Sequence, residues 1–323
     1  MKAIVWTEYG SPDVLQLREV ATPTPKPAEL LIRVHATTVT AGDCEMRRLD
    51  FPLYLALPIR LWVGLLKPRG TTIPGTEFSG EVVAVGAEVA QFRVGDAVYG
   101  SAGMRLGTAA ELTCQPEAGA VARKPSAMTY DEAATVPFGG CDALHFLRRG
   151  EVGPGERVLI NGAGGSIGTY AVQLAKHFGA EVTAVDSAAK LEMLRALGAD
   201  EVVDYTREDV PASGAVYDVI FDVVGTLSLP RIAPSLAADG RVLLANPGMS
   251  QRLDARRLGR TGSRRVVLEP SSPTAADLDY LRGLVDAGKL RAVIDRRYPL
   301  AEMREAHRYV ETGHKQGHVV ITV

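Results

Sequence analysis

Val158-Leu159-Ile160-Asn161-Gly162-Ala163-Gly164-Gly165-Ser166-Ile167-Gly168 is the stretch on which the fold of this chain turns. Its apolar start, residues 157–161, reads as a buried strand, and over residues 168–177 apolar positions return at helical spacing. A dinucleotide pyrophosphate needs what lies between them: a tight turn, close backbone approach, and an open helix start whose amides and dipole face negative charge. Gly165 and Gly168 take the last two glycine places of the G-x-G-x-x-G pattern, with Ala163 in the first. Gly164, Ser166 and Ile167 complete the turn, and Gly162 adds local freedom.

Downstream, residues 181–186 form the next strand, ending in Asp186. A carboxylate there accepts hydrogen bonds from both adenosine ribose hydroxyls and favours NAD. Ser187 and Lys190 offer a hydroxyl and an ammonium that suit the 2′-phosphate of NADP, so the choice between NAD and NADP stays open. Asp186-Ser187 equally reads as the cap of a following helix. Tyr205, after the third strand, is placed to close the adenosine side. Strand 218–224 ends in Phe221-Asp222-Val223-Val224-Gly225, and strand 240–245 leads into Asn246-Pro247-Gly248. Both ends lie where a coenzyme runs in an open α/β sheet, which makes Val223, Val224, Asn246 and Pro247 coenzyme neighbours. The valines fit a sheet core almost as well. Strands and helices alternate at crossover spacing through this region, giving a doubly wound parallel sheet.

Outside it the pattern changes. Short β-rich runs at 3–6, 30–36, 80–85 and 97–99, punctuated by Gly and Pro, suit a partly open barrel. Residues 44–74 fit neither period, and read as a helical excursion over a cleft or a packing insertion. The C-terminal segment, with helices at 275–287 and 301–312, is too short for a third core and packs back on the first domain. The division is therefore 1–124 with 271–323 as one domain, and 125–270 as the coenzyme domain. With 323 residues there is length for two cores. A net charge of −2 gives no basic surface for nucleic acid. The three cysteines, Cys44, Cys114 and Cys141, form no C-x-x-C pair. The first residues read as strand and turn rather than a leader, and no apolar run reaches the roughly 18 residues of a membrane span. The expectation is a cytoplasmic protein with no membrane and no nucleic-acid partner.

Several further motifs then align in order: Thr40-Ala41-Gly42-Asp43, Gly75-Thr76-Glu77-Phe78-Ser79-Gly80-Glu81-Val82 with Val85-Gly86, Gly95-Asp96-Ala97-Val98, the glycine turn through Asp186, and the C-terminal AHRYVETGHKQGHVVITV. Together they resemble the medium-chain dehydrogenase/reductase superfamily, in its zinc-independent quinone oxidoreductase-like branch. The resemblance implies a GroES-like barrel domain joined to a Rossmann domain, and a homodimer. Zinc-using alcohol dehydrogenases of this family hold their catalytic metal with Cys, His and Cys, where this chain has Thr40, Thr76 and Phe138. Those residues are not zinc donors. The implied reaction is hydride transfer from NAD(P)H to a small-molecule quinone or α,β-unsaturated carbonyl, whose conjugation spreads the arriving charge. Asp43 and Tyr99 are the catalytic candidates, each with a structural alternative as helix cap or half-buried strand residue. Trp62 and Phe138 are the pocket candidates, and Lys315 is placed to approach the coenzyme. A broad alcohol/aldehyde dehydrogenase and a non-catalytic coenzyme-responsive binding protein are the competing functions.

Overall fold

The computed structural model describes residues 1–51, 53–69, 72–208, 214–258 and 264–323. The chain forms two compact units, one of residues Met1–Pro137, Pro273–Asp286 and Ala292–Val323, the other of Phe138–Ser272 with Ala287–Arg291. The chain enters the second unit at Phe138, later than the expected 125. Residues 125–137 stay with the first unit because their bonds lie there: Ser79 Oγ donates to the Tyr130 carbonyl and Arg297 Nε to Asp131 (2.6 Å). Residues 287–291 return to the second unit, where Gln173 exchanges two hydrogen bonds with the Arg291 backbone (2.9 and 3.0 Å).

In the second unit, α1 (Cys141–Arg149) precedes β1 (Arg157–Asn161), α2 (Ser166–His177), β2 (Glu181–Asp186), α3 (Leu191–Ala196) and β3 (Glu201–Asp204). Then follow β4 (Tyr217–Asp222), α4 (Leu229–Ile232), β5 (Leu236–Leu244), α5 (Met249–Leu258) and β6 (Arg265–Val267). The strand order is β3-β2-β1-β4-β5-β6, and every pairing is parallel. The reversal of order beside β1 makes the crevice at the C-terminal ends of β1 and β4 the ligand site of such a sheet. Central strands are apolar along their length, as burial on both faces demands: Val158, Leu159, Ile160, Val219, Ile220 and Phe221 are at most 1% exposed. Helix α4 stops at Ile232, and a 3-10 turn over Ala233–Ser235 follows it. Leu236 pairs with Tyr217 and packs in the core, so the chain is already strand there.

The first unit is built from both chain ends. Its larger sheet runs Ile294–Pro299, His318–Thr322, Glu29–Val39, Glu77–Val85, Ala97–Ser101, Ala120–Arg123, with Leu112–Pro116 also paired to Glu29–Val39. Pairing is antiparallel except between the first two strands. Leu30, Ile32 and Val34 alternate inward and meet Phe78, Val82, Val98 and Val121. A second sheet pairs Lys2–Trp6 with Leu15–Glu19. The 44–74 region contains two helices, Ala41–Arg48 and Leu53–Val63. Among the described residues no helix is long and apolar enough to cross a membrane.

Candidate functional site

The phosphate turn forms as its sequence requires. Gly162 sits at φ +80°, a region open to glycine, and its amide and that of Ala163 donate to the Val185 carbonyl (3.0 and 3.2 Å). Gly165 is the N-cap of α2 and supplies no side chain there, so no capping group covers the helix start, whose amides and dipole suit a negative charge. At Gly168 a Cβ would lie 2.3 Å from the Gly162 carbonyl oxygen and 2.6 Å from Ala163 Cα. Only glycine lets α2 start this close to the turn. Ala163, Ser166 and Ile167 are buried beneath it.

At the adenosine end the structure brings Gly164, Asp186, Ser187 and Lys190 together. The Gly164 amide donates to Asp186 Oδ2 (2.8 Å), the Ser187 amide donates to Oδ1 (2.8 Å), and Lys190 Nζ pairs with Oδ1 (3.1 Å). The Asp186 and Lys190 side chains are both nearly buried. Lys190 also lies over the turn, since a Cβ on Gly164 would meet its Cδ at 2.4 Å. Tyr205 follows β3 with an exposed ring, and its amide donates to the Asp186 carbonyl oxygen (3.3 Å).

At the other end stand Asn161, Val223, Val224 and Asn246. The Val223 amide donates to the Asn161 carbonyl (3.0 Å), and Asn246 Nδ2 donates to the Val223 carbonyl (2.9 Å). Val224 is 53% exposed and lies against Gly162 rather than in the sheet core, whereas Val223 is buried. Pro247 is half-buried, and its carbonyl accepts from Arg252 Nε (3.3 Å). Three further side chains, Asp222, Gln251 and Asn161, belong to this end and carry no spacing motif of their own. Asp222 is wholly buried at the end of β4 and collects bonds from the other two. A carboxyl closing an apolar strand was the available signal.

The catalytic candidates fare differently. Tyr99 is corrected: it is fully buried, and its hydroxyl donates to the Leu278 carbonyl (2.6 Å), a structural bond within the first unit. Asp43 closes the capping box of helix Ala41–Arg48, accepting from the Thr40 amide (2.8 Å) and hydroxyl (2.7 Å). Burial raises its carboxyl above the ordinary range, an effect that the Thr40 bonds only partly offset. Trp62 is 41% exposed and, with Arg69, Ile73, Arg105 and Leu106, lines a cavity of about 370 Å³ in the first unit. Phe138 opens the second unit and is half-buried in the π-turn Val136–Gly140. Lys315 belongs to the first unit, where its ammonium donates to the Gly317 carbonyl (2.6 Å).

The residues at the family's zinc positions do not fit a metal. Thr40 is spent on its cap, and Phe138 has no donor atom. The neighbouring Glu77 carboxylate is buried and accepts from the Thr38 hydroxyl. Cys44 Sγ instead contacts His307 Nδ1 (3.3 Å). Burial first, then the charges of Asp43 and Glu311, push the Cys44 thiol up to about 12, so the metal-binding thiolate is disfavoured. Among the described residues no three His, Cys, Asp or Glu side chains group as a metal site.

Residues 26–138 match the alcohol dehydrogenase GroES-like domain, and residues 197–321 match a family described as zinc-binding dehydrogenase. A chloroplastic quinone-oxidoreductase homolog of Spinacia oleracea is 32% identical over 99% of this chain and 98% of its own. A 2-methylene-furan-3-one reductase of Solanum lycopersicum is 32% identical over 99% of this chain and 79% of its own. The solved quinone oxidoreductase of Coxiella burnetii superposes with a TM-score of 0.90 at 30% identity, over 100% of this chain and 99% of that one. The cytoplasmic expectation is corrected by such relatives: the spinach protein is chloroplastic, and a Mus musculus NAD(P)H oxidoreductase, 33% identical over 100% of this chain and 89% of its own, is mitochondrial. Identity of this order over the whole chain, on a parallel sheet with this phosphate turn, makes the protein a member of the medium-chain dehydrogenase/reductase superfamily, in its quinone-oxidoreductase-like branch.

Proposed function

We propose that the protein is a zinc-independent NAD(P)H-dependent reductase of quinones or α,β-unsaturated carbonyl compounds. The observation that carries this is a complete coenzyme cradle in a chain whose zinc positions hold Thr40, Thr76 and Phe138. The first-turn amides of α2 would hold the pyrophosphate, Asp186 and Lys190 the adenosine ribose, and residues 223–225 with Asn246 the nicotinamide side. When bound, a reduced nicotinamide supplies hydride. A conjugated acceptor delocalises the charge that hydride brings, so alignment and a few hydrogen-bond donors meet the demand a metal would otherwise meet. Near-neutral net charge supports a small-molecule substrate over nucleic acid. We place the molecule in a homodimer joined at β6, an edge strand of the parallel sheet.

The test is oxidation of NADH and NADPH, followed by loss of nicotinamide absorbance, by metal-stripped protein with a panel of quinones, enones and simple aldehydes. Quinone- or enone-dependent oxidation is expected without added metal. Activity confined to simple aldehydes, or restored only by zinc, would show an alcohol/aldehyde dehydrogenase. Tight coenzyme binding with no acceptor turned over would show a binding protein.

A further inference from the structure

We infer that Asp222 is a positioning residue for the nicotinamide half of the coenzyme site, fixing segment 223–227 against the phosphate turn; the inference rests on the coenzyme reading above. Among the described residues four donors converge on its carboxylate. Asn161 Nδ2 (2.9 Å) and the Gly225 amide (3.0 Å) donate to Oδ1, while Gln251 Nε2 (2.7 Å) and the Leu227 amide (2.9 Å) donate to Oδ2. The donors come from the end of β1, from the segment itself and from α5, and two per oxygen fill the lone-pair capacity of a carboxylate. Filling space there needs no charge, and an apolar side chain costs less to bury. What a carboxylate adds is the power to gather amides from a chain that has left its strand.

The gathered segment takes a shape the cradle depends on. Gly225 adopts φ +81° so close to Asn246 that a Cβ would stand 2.2 Å from the Asn246 carbonyl oxygen. One residue earlier, Val224 Cγ2 would meet a Cβ on Gly162 at 2.1 Å, so the segment rests directly on the phosphate turn. Gln251 Nε2 also donates to the Leu227 carbonyl (2.7 Å), and Asn161 Nδ2 to the Thr226 hydroxyl (3.2 Å), which ties the far end of the segment to the same network. The adenosine end hangs on different bonds, those of Gly164, Ser187 and Lys190 with Asp186. Loosening Asp222 therefore acts on one half of the coenzyme site and spares the other.

Asp222→Asn turns an N–H toward donors that had faced oxygen. Dissociation constants are measured by fluorescence titration or calorimetry for NADH and NADPH, and for 2′,5′-ADP and AMP, which occupy the adenosine end alone. The expected result is about a tenfold loss of reduced-coenzyme affinity, the scale of a lost charged hydrogen bond, with adenosine-nucleotide affinity held within about twofold. Gln251→Met, which removes two donors while keeping the volume, shows the same pattern at smaller size and carries the test if Asp222→Asn does not fold. A lowered melting temperature with both affinities unchanged, or equal weakening of both ligand classes, overturns the inference. Parent protein that binds neither coenzyme overturns the coenzyme reading first, and this inference with it.

Discussion

At Asp186 the acceptor capacity is nearly spent. Oδ1 faces the Ser187 amide and the Lys190 ammonium, and Oδ2 takes the Gly164 amide, which leaves about one lone pair for a ribose hydroxyl. The bidentate ribose grip that a strand-ending Asp suggests is therefore weakened, and Lys190 offsets the charge that would repel a 2′-phosphate. Lys190→Ala is expected to weaken NADPH about tenfold, as loss of one charge-assisted bond does, and to leave NADH within about threefold. Asp186→Ala narrows any preference for NAD and lowers affinity for both coenzymes, because the Gly164 amide loses its acceptor. Unchanged NADH/NADPH dissociation-constant ratios in both variants would reject this account of the adenosine end. The residues of this cluster were legible in the sequence because spacing from a glycine turn fixes their place on the sheet edge. Tyr99 was not legible in that way: its phenol reads as a proton donor until the Leu278 carbonyl, far along the chain, is seen to take it. Asp222 was hidden for a related reason, since its four donors belong to three separate stretches of sequence.

Elements show the same divide between local and distant causes. Strands β1, β2 and β4 were readable because burial on both faces writes itself as short, mainly apolar runs rich in β-branched residues. Strands Leu15–Glu19 and Leu112–Pro116 are half exposed, mixed with Arg, Gln and Thr, and exist through their partners rather than their composition. Helix α5 escaped because, in Met249–Leu258, only Gln251 and Ala255 are buried and most of its positions are polar. The short strand β6 lies at the end of the parallel sheet. It pairs with β5 on one side through Val242–Val266 and its neighbours, and it ends the strand order. An edge strand presents unpaired backbone groups as a template for another copy. Val266→Lys places a charge on that edge and is expected to convert a dimer to monomers at about 10 μM, a concentration at which interfaces of ordinary size are occupied. Sedimentation velocity reads the change, with circular dichroism to show that the sheet survives. A parent that sediments as a monomer, or a variant that stays dimeric, would remove β6 as the interface.

For the whole molecule, buried titratable groups set how stability follows pH. Burial, aided by the Arg47 charge, holds His307 down to about 3, and burial with the Lys315 charge holds His318 down to about 3. Both are neutral when folded and protonate on unfolding below their ordinary value of 6.5, so each contributes stability above pH 6.5 that is lost as pH falls toward 3. Asp142, in the first turn of α1, works in the opposite direction. Burial pushes its carboxyl up to about 7 against the pull of the Ser271 hydroxyl. It is protonated in the folded chain where the unfolded chain has an ionised carboxylate. Its contribution is complete below pH 3.8 and is lost as pH rises through 7. One such carboxyl cancels one histidine over the window they share, so the parent loses about 1.4 kcal/mol per pH unit on acidification from these three groups instead of about twice that. Asp142→Asn keeps an acceptor for Ser271 and removes the titration. The difference in stability between variant and parent cancels the other titrating groups to first order. From pH 5 to pH 8 it is expected to move in the variant's favour by about 2 kcal/mol, with most of the change below pH 7. Urea midpoints measured across that range read it directly. A difference that stays flat with pH would mean that Asp142 is ionised in the folded protein, and that the Ser271 bond outweighs burial at the start of α1.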